Sequence, residues 1–166
     1  MKTVKYPEVW DLNVFFKGGS ESEEFKSFIN NIPAKIDSLR ETVDALAVPT
    51  STQDALKIAE VLEKIKEVMA HISHAGGVLS CLTAQDTTDR EALLLQGKLG
   101  AISATTSPVI QKFHKLLTDA DAEVFDALLA TDELSPFSFV MSEWREQALL
   151  KLSQEEEALI SALGVD

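Results

Sequence analysis

Histidine offers the first candidate chemistry in this sequence, because imidazole is a common zinc ligand. The chain has three histidines, His71, His74 and His114. His71 and His74 are three residues apart on a predicted helix and share a face, but a zinc site needs at least one further protein ligand. Glu67 does not complete the Glu-x-x-His spacing of helical di-iron sites. The pattern favours two surface or partly buried histidines, with metal binding by this pair as the alternative, and a solvated His114 beside Lys115.

Other reactive residue types also have structural interpretations. Cys81 follows an apolar stretch with no adjacent cation, which favours a buried, inert thiol. The segment Asp86–Asp89 follows no strand and is typical of a helix cap rather than a phosphate site. Trp10 and Trp144 are predicted to anchor the core, and Glu155–Glu157 to form a first helical turn. The sequence has no His-Glu-x-x-His motif, phosphate loop or nucleophile elbow, so we expect no catalytic, cofactor-binding or metal-binding residue in this chain.

The elements that carry these residues are predicted to be helices. Apolar residues recur at spacings of three and four, which indicates three long amphipathic helices. The first is kinked at Pro33 and ends before Pro49, the second runs from about Gln53 to Leu82, and the third is kinked at Pro108. Their predicted apolar positions are Phe25, Phe28, Ile29, Ile32, Ile36, Leu39, Val43 and Leu46; Leu56, Ala59, Leu62, Ile65, Met69, Ile72, Leu79 and Leu82; and Leu93, Leu94, Leu99, Ile102, Val109, Ile110, Phe113, Leu116 and Leu117.

Helix starts are predicted from capping patterns. Ser20 with Glu23 begins the first helix, Thr50 or Thr52 the second, and Thr88 with Glu91 the third, where Asp89 complements the helix dipole. Shorter helices are predicted over Ala122–Ala130, Phe137–Leu150 and a terminal segment that begins at Ser153 and stops at Gly164. The fold class is therefore all-α: one domain, residues 1–166, built as an antiparallel bundle of long kinked helices with shorter C-terminal helices.

Composition excludes several classes of function. The 166 residues are 45% apolar and 25% charged, an ordinary globular balance. The net charge of -12 repels phosphate backbones and anionic headgroups, so we expect neither a nucleic-acid nor a membrane partner. The start has no long apolar run behind Lys2 and Lys5, so no signal peptide is expected. A single cysteine suits a reducing compartment, and the expected location is the cytoplasm.

Three segments carry a resemblance, in the order Trp10–Phe16, Ala84–Asp89 and Leu152–Ile160, and together they resemble the oligoendopeptidase F family of zinc metallopeptidases. Trp10–Phe16 reads Trp-Asp-Leu-Asn-Val-Phe-Phe and is similar to the family's Trp-Asp-Leu opening. Ala84–Asp89 resembles its Asp-Thr-x-Asp junction between long helices. Leu152–Ile160 is similar to its Leu-Ser-x-x-x-Glu segment, although Ala148–Lys151 lacks the histidine that family members often place just before it. The resemblance extends from about Trp10 to Gly164.

The resemblance implies a role in a larger enzyme. The family's zinc and His-Glu-x-x-His helix lie in a C-terminal catalytic domain that is absent from this chain, so no catalytic or zinc-binding residue carries over. The chain would be the N-terminal helical domain that packs on the catalytic domain and shapes the channel for oligopeptide substrates. By itself it is expected to be inactive and to hold no cofactor.

The alternative is a free-standing acidic helical bundle that binds a partner protein through a groove for an amphipathic, preferably basic, helix. If the chain is instead a severed domain, apolar positions that normally meet the catalytic domain are uncovered, and we expect a weak homodimer through the second or third helix. Because each chain carries a net charge of -12, screening by salt should strengthen this dimer. A strict monomer would favour the free-standing bundle.

Overall fold

The computed structural model describes residues 10–150. Over this range the backbone forms six α-helices and no strand, which confirms the all-α prediction. The helices are α1 (Glu23–Asp44), α2 (Ala55–Gln85), α3 (Arg90–Ala104), α4 (Ser107–Thr118), α5 (Ala122–Leu129) and α6 (Ser138–Leu150). The terminal helix predicted from Ser153 to Gly164, with Glu155–Glu157, lies outside the described residues.

Helix α1 follows its predicted apolar pattern but not its predicted cap. Pro33 lies inside the helix, and the stripe keeps its phase across it, with Ile32 and Ile36 both buried. The helix begins after Ser22, whose hydroxyl accepts the backbone N–H of Phe25 at 3.3 Å. The predicted cap at Ser20 is wrong, because that residue lies one 3-10 turn earlier and its hydroxyl has a different partner, described below.

Helix α2 buries a different set of residues from the predicted one. A 3-10 turn over Thr52–Asp54, capped by the side chain of Ser51, precedes it, so neither proposed threonine cap is correct. The predicted core positions Leu56 and Met69 are 69% and 43% exposed. The predicted stripe therefore contains two solvent-facing positions, and several residues outside it are buried. The side chains that are buried along this helix are Ala55, Ile58, Val61, Leu62, Ile65, Val68, Ala75, Val78, Leu79 and Leu82.

The third predicted helix is two helices. The backbone N–H groups of Thr105 and Thr106 bond to carbonyls three residues back, which closes α3 with a tight turn. Pro108 is then the second residue of α4, where its missing N–H breaks no helical hydrogen bond. The prediction of one helix kinked at Pro108 is therefore wrong. Leu93 and Leu94 are exposed rather than buried, and Ala92, Leu95 and Leu99 form the buried face of α3.

The described chain forms two compact units. One contains the described residues up to Arg40 together with Lys64–Ser107, and the other contains Glu41–Glu63 and the described residues from Pro108 onward. The first unit packs the greater part of α1 and α2 with α3. The second packs α4, α5 and α6 with the parts of α1 and α2 that connect through Val48 and Pro49.

The α3–α4 junction contains a buried threonine, Thr106. Thr106 is 3% exposed, and its hydroxyl has no hydrogen-bond partner among the described residues. A buried hydroxyl without a partner is destabilising, so Thr106→Val should raise the free energy of unfolding by about 1 kcal/mol. Urea denaturation measures this change. Thr105→Val is the matched control, because the Thr105 hydroxyl already has a hydrogen-bond partner: it donates to the Ile102 carbonyl at 2.7 Å. A free energy of unfolding for Thr106→Val that is equal to or lower than that of the wild-type chain would contradict the conclusion that the Thr106 hydroxyl is unpaired.

Candidate functional site

His71 and His74 lie in a cluster of aromatic rings. The His71 ring stacks on Phe28 with centroids 5.1 Å apart, and its Nδ1 lies 2.8 Å from the carbonyl oxygen of Glu67. The His74 ring meets Phe16 and Phe28 edge-on, at 5.8 and 5.4 Å. These contacts orient each ring on aromatic neighbours. Within residues 10–150, no group of three or more His, Cys, Asp or Glu side chains is arranged to hold a metal ion.

An apolar cleft of about 300 Å³ opens beside this cluster. Cys81 lines it and is half-buried, so the prediction of a buried thiol is wrong. Trp10 was predicted to anchor the core but is 74% exposed. Both differences follow from the N-terminal segment, which lies along the outside of α2 and leaves the cleft open. The lining residues are Phe15, Ser73, His74, Gly77, Val78 and Cys81.

A second, polar cleft of about 440 Å³ lies between α1 and α2. Each lysine of this cleft makes a hydrogen bond to the opposite helix. Lys35 on α1 donates to the Glu67 carboxylate on α2, and Lys64 on α2 donates to the Ser38 hydroxyl on α1 at 3.3 Å. The hydrogen bond from Lys35 lowers the pKa of Glu67, so this ion pair persists below neutral pH. The lining residues are Asn31, Ala34, Lys35, Ser38, Lys64, Glu67 and Val68.

The Asp86–Asp89 segment caps α3, as its capping pattern predicted, but through a different residue. Asp89 is the N-cap and accepts the backbone N–H of Ala92 at 2.9 Å. Thr88 does not cap the helix, because its hydroxyl and backbone N–H both donate to Asp86, at 2.7 and 2.8 Å. Both hydrogen bonds lower the pKa of Asp86, and the bond from the Thr88 hydroxyl has the larger effect.

Asp89 also links this junction to the N-terminal segment. The Ser20 hydroxyl donates to the Asp89 carboxylate at 2.8 Å, and Ser20 is buried. Gly18 and Gly19 precede it with φ of 96° and 60°, a left-handed conformation that side chains disfavour. This turn directs Ser20 toward Asp89, and sequence reasoning missed the pairing.

Arg145 on α6 is a second residue that sequence reasoning missed. Its guanidinium donates to the carbonyl oxygens of Leu117 at 3.3 Å and Ala120 at 2.9 Å, where α4 ends. The same group lies 4.4 Å from the centre of the Phe125 ring on α5. Three helices of the second unit therefore meet at one side chain.

The neighbouring residue on α6 packs against α4. Trp144 lies 4.2 Å from the His114 ring, centre to centre, and meets Phe113 edge-on at 6.5 Å. Trp144 is half-buried by these contacts. His114 is also half-buried, so its predicted solvation is wrong, because a face of its ring is covered by the indole.

A comparison with protein-family models finds a match in the C-terminal third of the chain. The family model described as Oligopeptidase F, for the N-terminal domain of M3 peptidases, matches residues 117–166. This range includes Arg145, Phe125 and the Leu152–Ile160 segment of the resemblance, whereas Trp10–Phe16 and Ala84–Asp89 lie outside it.

Further comparisons bear on the same assignment. No curated protein and no solved structure matches the chain. None of the described helices is long and apolar enough to cross a membrane. The family model supports the resemblance read from the sequence: residues 117–166 are similar to the N-terminal region of the oligoendopeptidase F family.

Proposed function

We propose that this chain is the non-catalytic N-terminal helical part of an oligoendopeptidase F-like zinc metallopeptidase and shapes the channel that admits oligopeptides. The observation that carries the proposal is the family match over residues 117–166. The catalytic domain of the parent enzyme would then be the principal partner. The single cysteine of the chain suits a cytoplasmic enzyme.

The helices of a channel wall must keep fixed positions. In the matched region, one arginine side chain joins three helices. Arg145 bonds two carbonyls at the end of α4 and covers the Phe125 ring of α5. A guanidinium has a planar set of donors that can satisfy two carbonyls at once, which a lysine cannot reproduce. The contacts of α4, α5 and α6 at this point support a rigid, structural role for the region.

The polar cleft between α1 and α2 supplies groups that suit a peptide-facing wall. Lys35, Lys64 and Asn31 can donate hydrogen bonds, and Glu67 and Ser38 can accept them. Backbone carbonyls and the terminal carboxylate of a peptide need donors, and its N–H groups need acceptors. The cleft offers both, along two helices rather than on a loop.

Zinc chemistry belongs to the proposed catalytic domain and not to this chain. When bound there, zinc would activate a water molecule for attack on the peptide bond. The described residues do not fit a zinc site, because His71 and His74 pack on aromatic rings and no third His, Cys, Asp or Glu side chain joins them. No step of hydrolysis is assigned to them.

The experiment compares the full-length parent enzyme with this chain alone. The parent's reading frame should encode a His-Glu-x-x-His motif, and its product should cleave a quenched fluorescent peptide. The 166-residue chain with zinc should not. In the parent, Lys64→Ala should raise KM for short peptides roughly two- to fivefold with little change in kcat, as expected for one exposed ionic contact.

Lys57→Ala on the same helix is the matched control, since Lys57 is exposed and lies outside the polar cleft. Equal KM values for the Lys64→Ala and wild-type enzymes would reject a peptide-facing cleft. A parent reading frame without a metal-binding motif would reject the peptidase assignment itself. Cleavage by the chain alone that His71→Ala abolishes would show a catalytic role.

The second candidate, a free-standing partner-binding bundle, is favoured by one observation. Trp10, Val14 and Phe15 are 74%, 73% and 50% exposed although they are neighbours in sequence. Such a concentration of uncovered apolar side chains marks an interaction surface. The absence of a peptidase motif from the parent reading frame would favour this candidate.

A further inference from the structure

The second half of α2 carries no Asp, Glu, Lys or Arg from residue 68 to residue 85, in a chain that is 25% charged. A helix face that is exposed to solvent usually carries charges. The outer face here is instead small and apolar or weakly polar. His74 and Gln85 are exposed beside the N-terminal segment, and the other exposed residues, which we call the neutral face, are Met69, Ala70, Ser73, Gly77, Ser80 and Ala84.

The N-terminal segment extends this surface with larger side chains. The carbonyl of Trp10 accepts a hydrogen bond from the Gln85 side chain at 3.4 Å, while Phe15 lines the apolar cleft with Ser73 and His74. The segment therefore runs beside about twelve residues of α2, which is about 18 Å along the helix axis. The segment also carries the exposed side chains of Trp10, Val14 and Phe15.

We propose that the neutral face binds the same face of a second copy of this chain, with the two α2 helices antiparallel across Gly77. A Cβ atom built at Gly77 meets nothing within 4 Å, so a partner helix has room to approach there. Small residues on both sides of Gly77 let two backbones come close. The contact is self-complementary, as a two-fold symmetric dimer requires.

Charges at the two ends of the neutral face support the antiparallel orientation. Lys66 lies one turn before its start and Asp86 directly follows α2, and both are exposed. A two-fold axis near Gly77 places Lys66 of one copy near Asp86 of the other, twice in the dimer. A parallel arrangement would instead bring like charges together.

The available area predicts a weak, reversible dimer. A fully covered aromatic side chain buries about 150–250 Å², so the exposed fractions of Trp10 and Phe15 leave roughly 250 Å² uncovered. With Val14 and Met69 added, the apolar surface reaches roughly half of the ~800 Å² per partner of a standard interface. This is enough for transient association and too little for a permanent dimer.

The test is sedimentation of the 166-residue chain over a range of protein and salt concentrations. The association constant should rise with salt, because screening reduces repulsion between two copies that each carry a net charge of -12. Gly77→Glu should lower the association constant at least about tenfold, since it places two carboxylates against each other at the axis. The open space around Gly77 lets the variant monomer keep its fold, which circular dichroism checks.

Gly97→Glu on α3 is the matched control. Gly97 is also an exposed helical glycine with nothing within 4 Å of an added Cβ, and the change of charge is the same. It should leave association unchanged. A strict monomer at high protein and salt concentration overturns the proposal, as does loss of association in Gly97→Glu but not in Gly77→Glu, which would assign the interface to α3. None of these outcomes depends on the proposed peptidase function.

Discussion

Replacing Asp89 with alanine is expected to lower the free energy of unfolding by about 2–4 kcal/mol. Two losses combine in this substitution. Asp89 is the N-cap of α3, and loss of such a cap costs about 1 kcal/mol. The carboxylate also accepts the hydroxyl of Ser20, which is 7% exposed, and a buried hydroxyl left without a partner costs about 1–3 kcal/mol more.

Two further variants separate these contributions. Asp86→Ala is the matched control in the same loop: its partner Thr88 is exposed and can bond to water, so the loss should stay below about 1 kcal/mol. Ser20→Ala introduced into the Asp89→Ala chain should recover part of the lost stability, because it removes the orphaned hydroxyl. Urea denaturation of the four chains measures both effects. Equal losses for Asp86→Ala and Asp89→Ala would contradict the pairing of Ser20 with Asp89.

The Ser20–Asp89 pair illustrates what sequence reasoning can and cannot predict. A capping pattern is local, and it correctly marked the start of α3 within one residue. Which oxygen does the capping depends on competing partners, and Thr88 is diverted to Asp86. The bond to Ser20 joins residues 69 positions apart, and only the folded chain brings them together. Positive φ at Gly18 and Gly19 is the local feature that makes the approach possible.

Helix existence and type were more predictable than helix faces and ends. The α1 stripe was correctly identified because its apolar residues occupy one narrow arc. In α2 the apolar residues extend past the buried arc, and periodicity alone cannot show that Leu56 and Met69 reach solvent. At Pro108 the sequence allows both a kink and a new helix. A new helix begins here, because the backbone N–H groups of Thr105 and Thr106 bond to carbonyls three residues back and end α3 before Pro108.

Replacing Arg145 with alanine is expected to lower the free energy of unfolding by about 2–3 kcal/mol. Arg145 is half-buried, and its guanidinium satisfies the carbonyls of Leu117 and Ala120 while it covers the Phe125 ring. A cation at the end of α4 also complements the negative end of the helix dipole. Alanine removes all three contributions and leaves two carbonyls of the helix end without this partner.

Arg145→Lys tests whether geometry or charge is responsible. Lysine keeps the positive charge but cannot donate to two carbonyls and stack on a ring at the same time, so it should recover less than half of the loss. Arg40→Ala is the matched control, because Arg40 pairs only with Asp37 among the described residues and an exposed pair of this kind contributes about 0–1 kcal/mol. Thermal and urea denaturation measure all three variants. Full stability in Arg145→Lys would show that charge alone is needed, and a loss in Arg40→Ala equal to that in Arg145→Ala would contradict a specific role for Arg145 in joining α4, α5 and α6.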